Sequence, residues 1–278
     1  MNGLSGTGFT KLEGLGNDFV LLDHRAGQPN PGIDQVRALA DRHTGIGFDQ
    51  LLILRPATEL GADCRVEIFN SDGGPADQCG NGMRAVALWL GDDKPDQNGC
   101  VLETAAGLIS VDRVSPSQFQ ASMGQPVFDT DACGVSNPDQ LSSVVADAID
   151  CIDYGLVSMG NPHLVLLLGA PPTPEQVAEI GHQLSASPLF GDGININFAA
   201  VDDDGRVQLQ VHERGVGPTR ACGSGACATA AFLIHHGRLK TPVTVDQPGG
   251  RLVINWNEKF SSLFMTGPAR RVFDGTLT

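Results

Sequence analysis

An internal repeat is the feature of this 278-residue chain that most limits the folds it can adopt. Gly16-Asn17 returns as Gly160-Asn161 at an offset of 144 residues. Cys79-Gly80-Asn81-Gly82 returns as Cys222-Gly223-Ser224-Gly225 at an offset of 143. Three further matches lie in the same order at offsets of 143 to 145. Glycine-rich turns resemble one another by chance, but ordered matches at nearly one offset predict two similar halves related by a pseudo-twofold axis.

Each half contains short apolar strands, then a glycine-rich turn and then a helix, which predicts an α+β fold. Two similar domains would place a ligand in the cleft between them. The predicted halves are about residues 12–129 and 156–274, with residues 129–153 as their connection. The predicted strands are residues 51–54 and 66–69; the predicted helices are residues 36–42, 83–90, 175–184 and 226–235, with Gly91 and Gly237 ending the second and the fourth.

Charge and composition exclude several classes of protein. There are 18 Lys and Arg residues against 32 Asp and Glu residues, a net charge of −14, which disfavours nucleic acid and anionic lipid as partners. The N-terminus lacks the pattern of a signal peptide, and no apolar run reaches the roughly 20 residues of a membrane helix. Seven dispersed cysteines, an odd number, indicate reduced thiols in a cytoplasm. The chain is therefore predicted to be a soluble cytoplasmic protein.

The duplicated turns carry the chemistry. In each half a cysteine, Cys79 or Cys222, precedes Gly-x-Gly and a helix, where the helix dipole and free N–H groups favour a thiolate and bind a carboxylate. A lone cysteine in such a turn is often only a small buried apolar residue. Two of them, placed symmetrically, could remove a proton from one face of a carbon and return one to the other. This pattern predicts racemisation or epimerisation beside a carboxylate.

No cofactor or metal is predicted. None of the four lysines lies in a motif typical of a pyridoxal phosphate enzyme. The sequence has no phosphate-binding loop of the G-x-x-x-x-G-K-[ST] type and no convincing dinucleotide-binding fingerprint. Cys222 and Cys227 have no neighbouring histidine cluster, which makes a structural zinc site improbable. The chemistry is expected to depend on side chains alone.

Seven segments spread over nearly the whole chain form a recognisable set. They are Gly14-Leu15-Gly16-Asn17-Asp18-Phe19, Gly45-Ile46-Gly47-Phe48-Asp49-Gln50, Phe69-Asn70-Ser71-Asp72-Gly73, Gln78-Cys79-Gly80-Asn81-Gly82, Met159-Gly160-Asn161-Pro162-His163, Glu213-Arg214-Gly215 and Ala221-Cys222-Gly223-Ser224-Gly225. In these segments and in their order the chain resembles the diaminopimelate epimerases, which interconvert LL- and meso-2,6-diaminopimelate without a cofactor.

The resemblance implies an N-terminal domain of residues 1–129, onto which a tail of about residues 265–278 packs, and a C-terminal domain of residues 130–264. It implies a cytoplasmic homodimer that acts on a small molecule in lysine and peptidoglycan-precursor biosynthesis. The aromatic tyrosine often found near the family's C-terminus is replaced here, with Phe273 as the nearest equivalent. Packing could survive that change, but a hydrogen bond through the hydroxyl could not, so the dimer is a weaker inference than the site.

The resemblance also assigns roles to residues. Cys79 becomes the usual proton donor and Cys222 the acceptor in the LL-to-meso direction, while His163 and Glu213 support their hydrogen-bond network. Arg214 would pair with the distal carboxylate. The expected substrate-binding residues are Asn17, Gln50, Asn70, Gly80, Asn81, Asn161, Asn195, Glu213, Arg214, Gly223 and Ser224. Asn195 is chosen over Asn197 by alignment alone.

Structural roles compete with these assignments. Asn17, Asn161 and Asn195 could be turn residues, His163 a satisfied structural group, and Glu213-Arg214 an exposed ion pair. Two other functions also stay open. A relative of the proline racemases would share both cysteines, although Asn81 and Glu213-Arg214 favour a longer diacid. A catalytically silent amino-acid-binding protein would not need two thiols.

Overall fold

The computed structural model describes residues 4–76, 79–93, 98–257 and 261–278, so Gln78 of the family motif lies outside the described residues. The chain forms two compact units. Unit 1 comprises Met1–Ser122 and Thr266–Thr278, and unit 2 comprises Met123–Met265. The domain boundaries at residues 129/130 and 264/265 stay predictions.

Unit 1 is built from strands and two helices. Within the described part of Met1–Ser122, five strands precede the second helix in the chain and three follow it. The elements are β1 (Gly8–Gly14), β2 (Asn17–Asp23), α1 (Ile33–Ala40), β3 (Gln50–Arg55), β4 (Cys64–Asn70), β5 (Pro75–Ala76), α2 (Gly80–Asp93), β6 (Gly99–Thr104), β7 (Gly107–Ser115) and β8 (Gln118–Ser122).

Unit 2 has the same kinds of element in the same order, with one additional helix at its start. Its elements are α3 (Leu141–Ala148), β9 (Asp153–Ser158), β10 (Pro162–Leu168), α4 (Pro174–Ser185), β11 (Asn195–Val201), β12 (Val207–Glu213), β13 (Gly217–Thr219), α5 (Gly223–His235), β14 (Val243–Gln247) and β15 (Gly250–Asn255). The chain then passes through β16 (Phe264–Pro268) into β17 (Arg270–Thr276), which pairs antiparallel with β1 in unit 1.

The strand pairing repeats between the units. In unit 1, β2 pairs antiparallel with β1 and parallel with β3, β3 pairs antiparallel with β4, and β4 pairs parallel with β6. In unit 2, β10 pairs antiparallel with β9 and parallel with β11, β11 pairs antiparallel with β12, and β12 pairs parallel with β14. The α+β fold and the sequence repeat are therefore confirmed.

A central helix in each unit explains the alanine- and glycine-rich stretches. Helix α2 contacts β1, β2, β6, β7, β8 and β17, and α5 contacts β9, β10, β11, β14 and β15. A helix packed by strands on several sides has no polar face, and α5 buries ten of its thirteen residues. Small residues such as Ala226, Ala230 and Ala231 let the strands approach this helix closely.

Most predicted elements are confirmed, and three details differ. Helix α1 ends at Ala40 rather than residue 42, because Asp41 is already extended. Gly91 does not end α2, which continues to Asp93, whereas Gly237 does follow α5 with a φ of 66°. The predicted connection of residues 129–153 contains helix α3, whose Leu141 and Val145 are buried.

Candidate functional site

Cys79 immediately precedes α2 and acts as its N-cap. The Gly82 N–H donates to Cys79 Sγ at 3.2 Å, and the Met83 N–H donates to the Cys79 carbonyl at 2.9 Å. A Cβ added at Gly82 would lie 3.2 Å from this sulfur, so a larger residue would push the thiol by a few tenths of an ångström. The N–H groups of Gly80 and Asn81 have no acceptor within the helix. The half-buried thiol thus lies beside a helix end that can bind an anion.

The Asn17 side chain presents its oxygen to Cys79. Its Oδ1 lies 3.9 Å from Cys79 Sγ and accepts from Asn81 Nδ2 at 3.4 Å. Asn81 Oδ1 in turn accepts from the fully buried guanidinium of Arg84 at 2.8 Å. A guanidinium only donates, so it determines which end of the Asn81 amide faces Asn17.

Asp49 orients Asn17 from the other side. Its carboxylate accepts from Asn17 Nδ2 at 2.8 Å and from Arg42 at 2.8 Å. A carboxylate only accepts, so Asn17 Nδ2 must face Asp49, and Asn17 Oδ1 must face Cys79. The thiol hydrogen of Cys79 therefore has an acceptor in front of it.

A charged cluster supports this arrangement. Asp18 accepts from both terminal nitrogens of Arg42, at 3.0 and 2.8 Å, and from Lys11 Nζ at 2.5 Å. Lys11 also donates to the Gly47 carbonyl. Burial raises the pKa of Asp18, but the hydrogen bonds and charges of Arg42 and Lys11 outweigh it and lower that pKa to about 2. Asp18 is therefore ionised at neutral pH.

Gln50 and Asn70 lie at the same edge of the strands as Asn17. Asn17 begins β2, Gln50 begins the parallel strand β3, and Asn70 ends the antiparallel strand β4. Gln50 Nε2 donates to Asn70 Oδ1 at 3.1 Å. Gln50 Oε1 is buried and has no hydrogen-bond partner within the described part of the chain, which leaves it available to a ligand donor.

Cys222 is the equivalent N-cap of α5. Its sulfur accepts from the Gly225 N–H at 3.4 Å, and a Cβ added at Gly225 would lie 3.2 Å from it. Its own N–H donates to Gln247 Oε1 at 2.8 Å. Burial, then the charge of Glu213, raises the pKa of the Cys222 thiol well above its ordinary value, against the hydrogen bond donated by the Gly225 N–H. Cys222 thus holds its proton at neutral pH in the ligand-free protein.

Ser224 connects Cys222 to a buried histidine. Its Oγ lies 3.5 Å from Cys222 Sγ and 3.1 Å from His163 Nε2, and it accepts from Asn161 Nδ2 at 3.2 Å. Burial lowers the pKa of His163 to about 4, although a hydrogen bond with Asn197 raises it. His163 is therefore neutral at physiological pH.

Asn195, Glu213 and Arg214 lie at the equivalent edge in unit 2. Asn195 begins β11, and its side chain donates to the Pro162 carbonyl at 2.9 Å and accepts from the Arg214 N–H at 3.0 Å. Glu213 ends β12 and accepts from Thr219 Oγ1 at 2.5 Å. The exposed guanidinium of Arg214 forms no hydrogen bond or ion pair with another described side chain, so it is available to an anion.

The predicted residues form two groups, one in each unit. Unit 1 brings together Asn17, Gln50, Asn70, Cys79, Gly80 and Asn81; unit 2 brings together Asn161, His163, Asn195, Glu213, Arg214, Cys222, Gly223 and Ser224.

Sequence reasoning missed three polar residues that support these groups, namely Asp49, Arg84 and Gln247, and it passed over a fourth, Asn197, in favour of Asn195. The available signal was a polar residue inside an apolar helix or strand, as at Arg84 and Asn197.

The described residues form neither a metal-binding cluster nor a membrane-spanning helix. Among the described residues, no three His, Cys, Asp or Glu side chains are grouped so that they could hold a metal ion. Within the same ranges, no helix is long and apolar enough to cross a membrane.

The family model and the similar curated proteins all point to one family. The family model for diaminopimelate epimerase matches residues 9–128 and 155–272. A diaminopimelate epimerase from Sphingopyxis alaskensis is 43% identical over 272 residues, covering 96% of each chain. One from Xanthomonas axonopodis is 42% identical over 96% of this chain and 95% of its own. One from Pseudomonas syringae is 40% identical over 96% of this chain and 97% of its own.

Solved structures share the fold at low sequence identity. A predicted epimerase from Pseudomonas aeruginosa has a TM-score of 0.70 and 18% identity over 98% of this chain and 99% of its own. A hydroxyproline epimerase from Agrobacterium vitis has a TM-score of 0.69 and 16% identity over 98% of this chain and 90% of its own. These likenesses concern the fold alone. The family match in both halves and the identity to whole-length relatives show that the chain belongs to the diaminopimelate epimerase family.

Proposed function

We propose that this protein is an isomerase that interconverts LL- and meso-2,6-diaminopimelate with two thiols and no cofactor, in lysine and peptidoglycan-precursor biosynthesis. One thiol removes the α-proton as a thiolate, and the other gives a proton to the opposite face of the same carbon. The observation that carries the proposal is the duplicated N-cap: unit 1 and unit 2 each hold one cysteine at the start of a central helix. The mechanism requires both sulfurs to reach one carbon.

The contacts of Cys79 support its role as proton donor in the LL-to-meso direction. Asn17 Oδ1 can accept the thiol hydrogen of Cys79, and the Gly82 N–H can stabilise the sulfur once that proton has been given. The Asp49 carboxylate on one side and the Arg84 guanidinium on the other keep the Asn17 oxygen in place. The proposed role of Cys79 in this direction is to give its proton to the substrate.

Cys222 is then the acceptor, and it must lose its proton before it can act. The negative charge of Glu213 disfavours the thiolate, whereas the Gly225 N–H stabilises it. A substrate carboxylate held by the N–H groups of Gly223 and Ser224 would lie beside the developing charge on the α-carbon. The proposed role of these donors is to stabilise that charge.

The substrate is proposed to be a diamino diacid rather than proline. Arg214 offers a guanidinium with no described side-chain partner, which suits a second carboxylate. Gln50 Oε1, buried without a described partner, suits the distal ammonium group. Asn70, Asn161 and Asn195 lie at the same strand edges as these two groups, where they can check the configuration of the distal centre.

The cellular setting is proposed from the family and the composition. We propose a cytoplasmic homodimer with neither nucleic acid nor membrane as a partner, since the chain carries a net charge of −14. Val272 and Phe273 of β17 are 46% and 47% exposed, and such apolar side chains suit burial against a second copy.

The test is proton NMR in D2O with LL-diaminopimelate, a thiol reductant and no added cofactor. Loss of the α-proton signal together with the appearance of the meso isomer is expected. Cys79→Ala and Cys222→Ala should each lose nearly all turnover while retaining part of the binding. Full activity of either variant would refute the two-thiol mechanism.

The same experiment separates the competing functions. Faster exchange of proline than of diaminopimelate would make the protein a racemase of the proline type. Binding of diaminopimelate without exchange of its α-proton would make it a binding protein. Cys227→Ala is the matched control for Cys222→Ala, because Cys227 is a buried thiol in α5, the helix that Cys222 caps.

A further inference from the structure

Asn197 is a fully buried polar residue in the apolar strand β11, and its amide orientation follows from its neighbours. Asn197 Nδ2 lies 2.9 Å from the Gly225 carbonyl and 3.1 Å from Thr229 Oγ1. A backbone carbonyl only accepts hydrogen bonds, so the nitrogen of the amide must face it. The oxygen of Asn197 must then face the other way, toward His163.

This orientation selects one tautomer of His163. Asn197 Oδ1 lies 3.1 Å from His163 Nδ1, and an amide oxygen can only accept. Nδ1 must therefore carry the hydrogen, and the neutral ring leaves Nε2 as an acceptor. Two atoms lie near Nε2, namely Ser224 Oγ at 3.1 Å and Asn161 Oδ1 at 3.2 Å. The amide oxygen cannot donate, so of the two only the Ser224 hydroxyl can supply a hydrogen to Nε2.

The direction of the Ser224 hydroxyl follows in turn. Its hydrogen points to Nε2, and its two lone pairs accept from Asn161 Nδ2 at 3.2 Å and from Cys222 at 3.5 Å. These three contacts complete the hydrogen-bonding capacity of a serine hydroxyl. The hydroxyl therefore accepts from the Cys222 thiol and cannot stabilise its thiolate.

We propose that Asn197 is a positioning residue that holds His163 in the Nδ1–H tautomer and thereby turns the Ser224 hydroxyl away from the Cys222 sulfur. Cys222 then keeps its proton until a ligand arrives. If Asn197 could not accept, the ring could carry its hydrogen on Nε2 and donate to Ser224. The Ser224 hydroxyl would then be free to donate to the Cys222 thiolate.

Other ionisable groups act on His163 and Cys222, and these groups stay unchanged in the variants of the test. Arg214 acts on His163 through its charge, and Glu213 and Cys227 act on Cys222. The backbone N–H of His163 is a hydrogen-bond donor to the Cys133 sulfur. None of these groups contacts His163 Nδ1. The Asn161 oxygen near Nε2 favours the other tautomer, and the Asn197 oxygen at Nδ1 opposes it.

The first test is the tautomer itself, measured on protein with 15N-labelled histidine by long-range 1H–15N NMR. The resonances of His163 are assigned with His163→Gln. The wild type should show a protonated Nδ1 and a bare Nε2. Asn197→Leu, which has a similar size but no acceptor, should shift the hydrogen wholly or partly to Nε2. Asn197→Asp, which restores an acceptor, should keep a hydrogen on Nδ1, and unchanged His212 signals would show that the fold is intact.

The second readout is the pH dependence of iodoacetamide alkylation at Cys222, followed by peptide mass spectrometry. Its midpoint should fall by about one pH unit in Asn197→Leu, because Ser224 gains the freedom to donate to the thiolate. Ser224→Ala combined with Asn197→Leu should remove that fall. A bare Nδ1 in the wild type, or the same tautomer in Asn197→Leu, would overturn the proposal.

This inference deepens the proposed function, on which its relevance to catalysis rests. Failure of this inference can nevertheless be distinguished from failure of the proposed function, because neither the tautomer nor the alkylation measurement needs turnover. Exchange of the α-proton with the wrong tautomer would refute only the role of Asn197. Absence of exchange with the expected tautomer would refute only the proposed reaction.

Discussion

Both candidate thiols also cap a helix, so the same sulfur serves structure and chemistry at the scale of single residues. The Gly82 and Gly225 N–H groups donate to Cys79 and Cys222, at 3.2 and 3.4 Å. A sulfur that accepts from a helix N-terminus is held in one rotamer. The second glycine of each Cys-Gly-x-Gly motif is therefore favoured by the position of the thiol, because a Cβ there would lie 3.2 Å from the sulfur.

Gly82→Ala should reduce kcat by about 10- to 100-fold, because the new Cβ would lie 3.2 Å from Cys79 Sγ and 3.3 Å from Leu52 Cδ2. The matched control is Gly91→Ala in the same helix, whose Cβ meets only Arg113 at 3.5 Å. That control should keep its activity and gain about 0.5–1 kcal/mol in the free energy of unfolding. Steady-state kinetics and urea unfolding measure both effects, and a fully active Gly82→Ala enzyme would contradict the first.

Cys79 should react with iodoacetamide at least about tenfold faster than Cys222 at pH 7 in the ligand-free protein. Cys222 is 5% exposed, and burial raises the pKa of its thiol, whereas Cys79 is half-buried. Peptide mass spectrometry over time gives both rates. Fully buried Cys64 and Cys227 serve as unreactive controls. Equal rates at Cys79 and Cys222 would show that the Cys222 thiol is not protected as the structure indicates.

At the scale of elements, a cluster of charges adds side-chain contacts between segments of unit 1. Lys11 belongs to β1 and Asp18 to β2, while Arg42 follows α1 and Asp49 precedes β3. Asp18 accepts from Lys11 and Arg42, and Arg42 also reaches Asp49. The loop that orients Asn17 is therefore anchored to two strands.

Asp18→Asn should lower the free energy of unfolding by about 1–2 kcal/mol at pH 7. The pKa of Asp18, about 2 in the folded protein, lies below its ordinary value of 3.8. The ionised carboxylate therefore stabilises the fold above about pH 4, and this contribution is lost as the pH falls through about 2. Urea unfolding at a series of pH values should show the two proteins converging in acid. Asp34→Asn is the control, because Asp34 is fully exposed and lies 3.9 Å from Arg37.

The predicted elements that proved wrong show how packing overrides local signals. Gly91 resembles a helix end, but glycine inside a helix costs only about 1 kcal/mol, and the strands around α2 stabilise the extra turn. Helix α3 was not predicted, although Leu141, Val144, Val145 and Ala148 recur at the spacing of one helical face. It has only eight residues and includes a serine pair, which has modest helix propensity. Its burial of Leu141 and Val145 in the unit 2 core explains why it forms.

At the scale of the whole molecule, the exposed aromatic of β17 is the feature that bears on assembly. The Phe273 ring lies 6.0 Å from the Phe9 ring in an edge-to-face arrangement, and the side chain is still 47% exposed. This side chain can pack against a neighbour but cannot form a hydrogen bond.

Phe273→Asp should weaken the proposed homodimer by about 30-fold or more in its dissociation constant, the effect of losing about 2 kcal/mol at an interface centre. Leu60→Asp is the matched control, because Leu60 is fully exposed elsewhere in unit 1 and its replacement should leave the dimer intact. Sedimentation equilibrium measures both constants. A wild-type monomer at every concentration would refute the homodimer, and an unaffected Phe273→Asp dimer would refute the role of β17.

The sequence alone determined the family, the repeat, the α+β class and the positions of both thiols. These features depend on local patterns, namely glycine-rich turns, short apolar strands and alanine-rich helices, which are legible along the chain. Only the tertiary structure decided which atoms donate and which accept in the hydrogen bonds around those thiols. Asp49 orients Asn17, and Asn197 orients His163, across 32 and 34 residues of chain. Which end of an amide faces a sulfur depends on which atoms the fold places around it, and no local pattern records that.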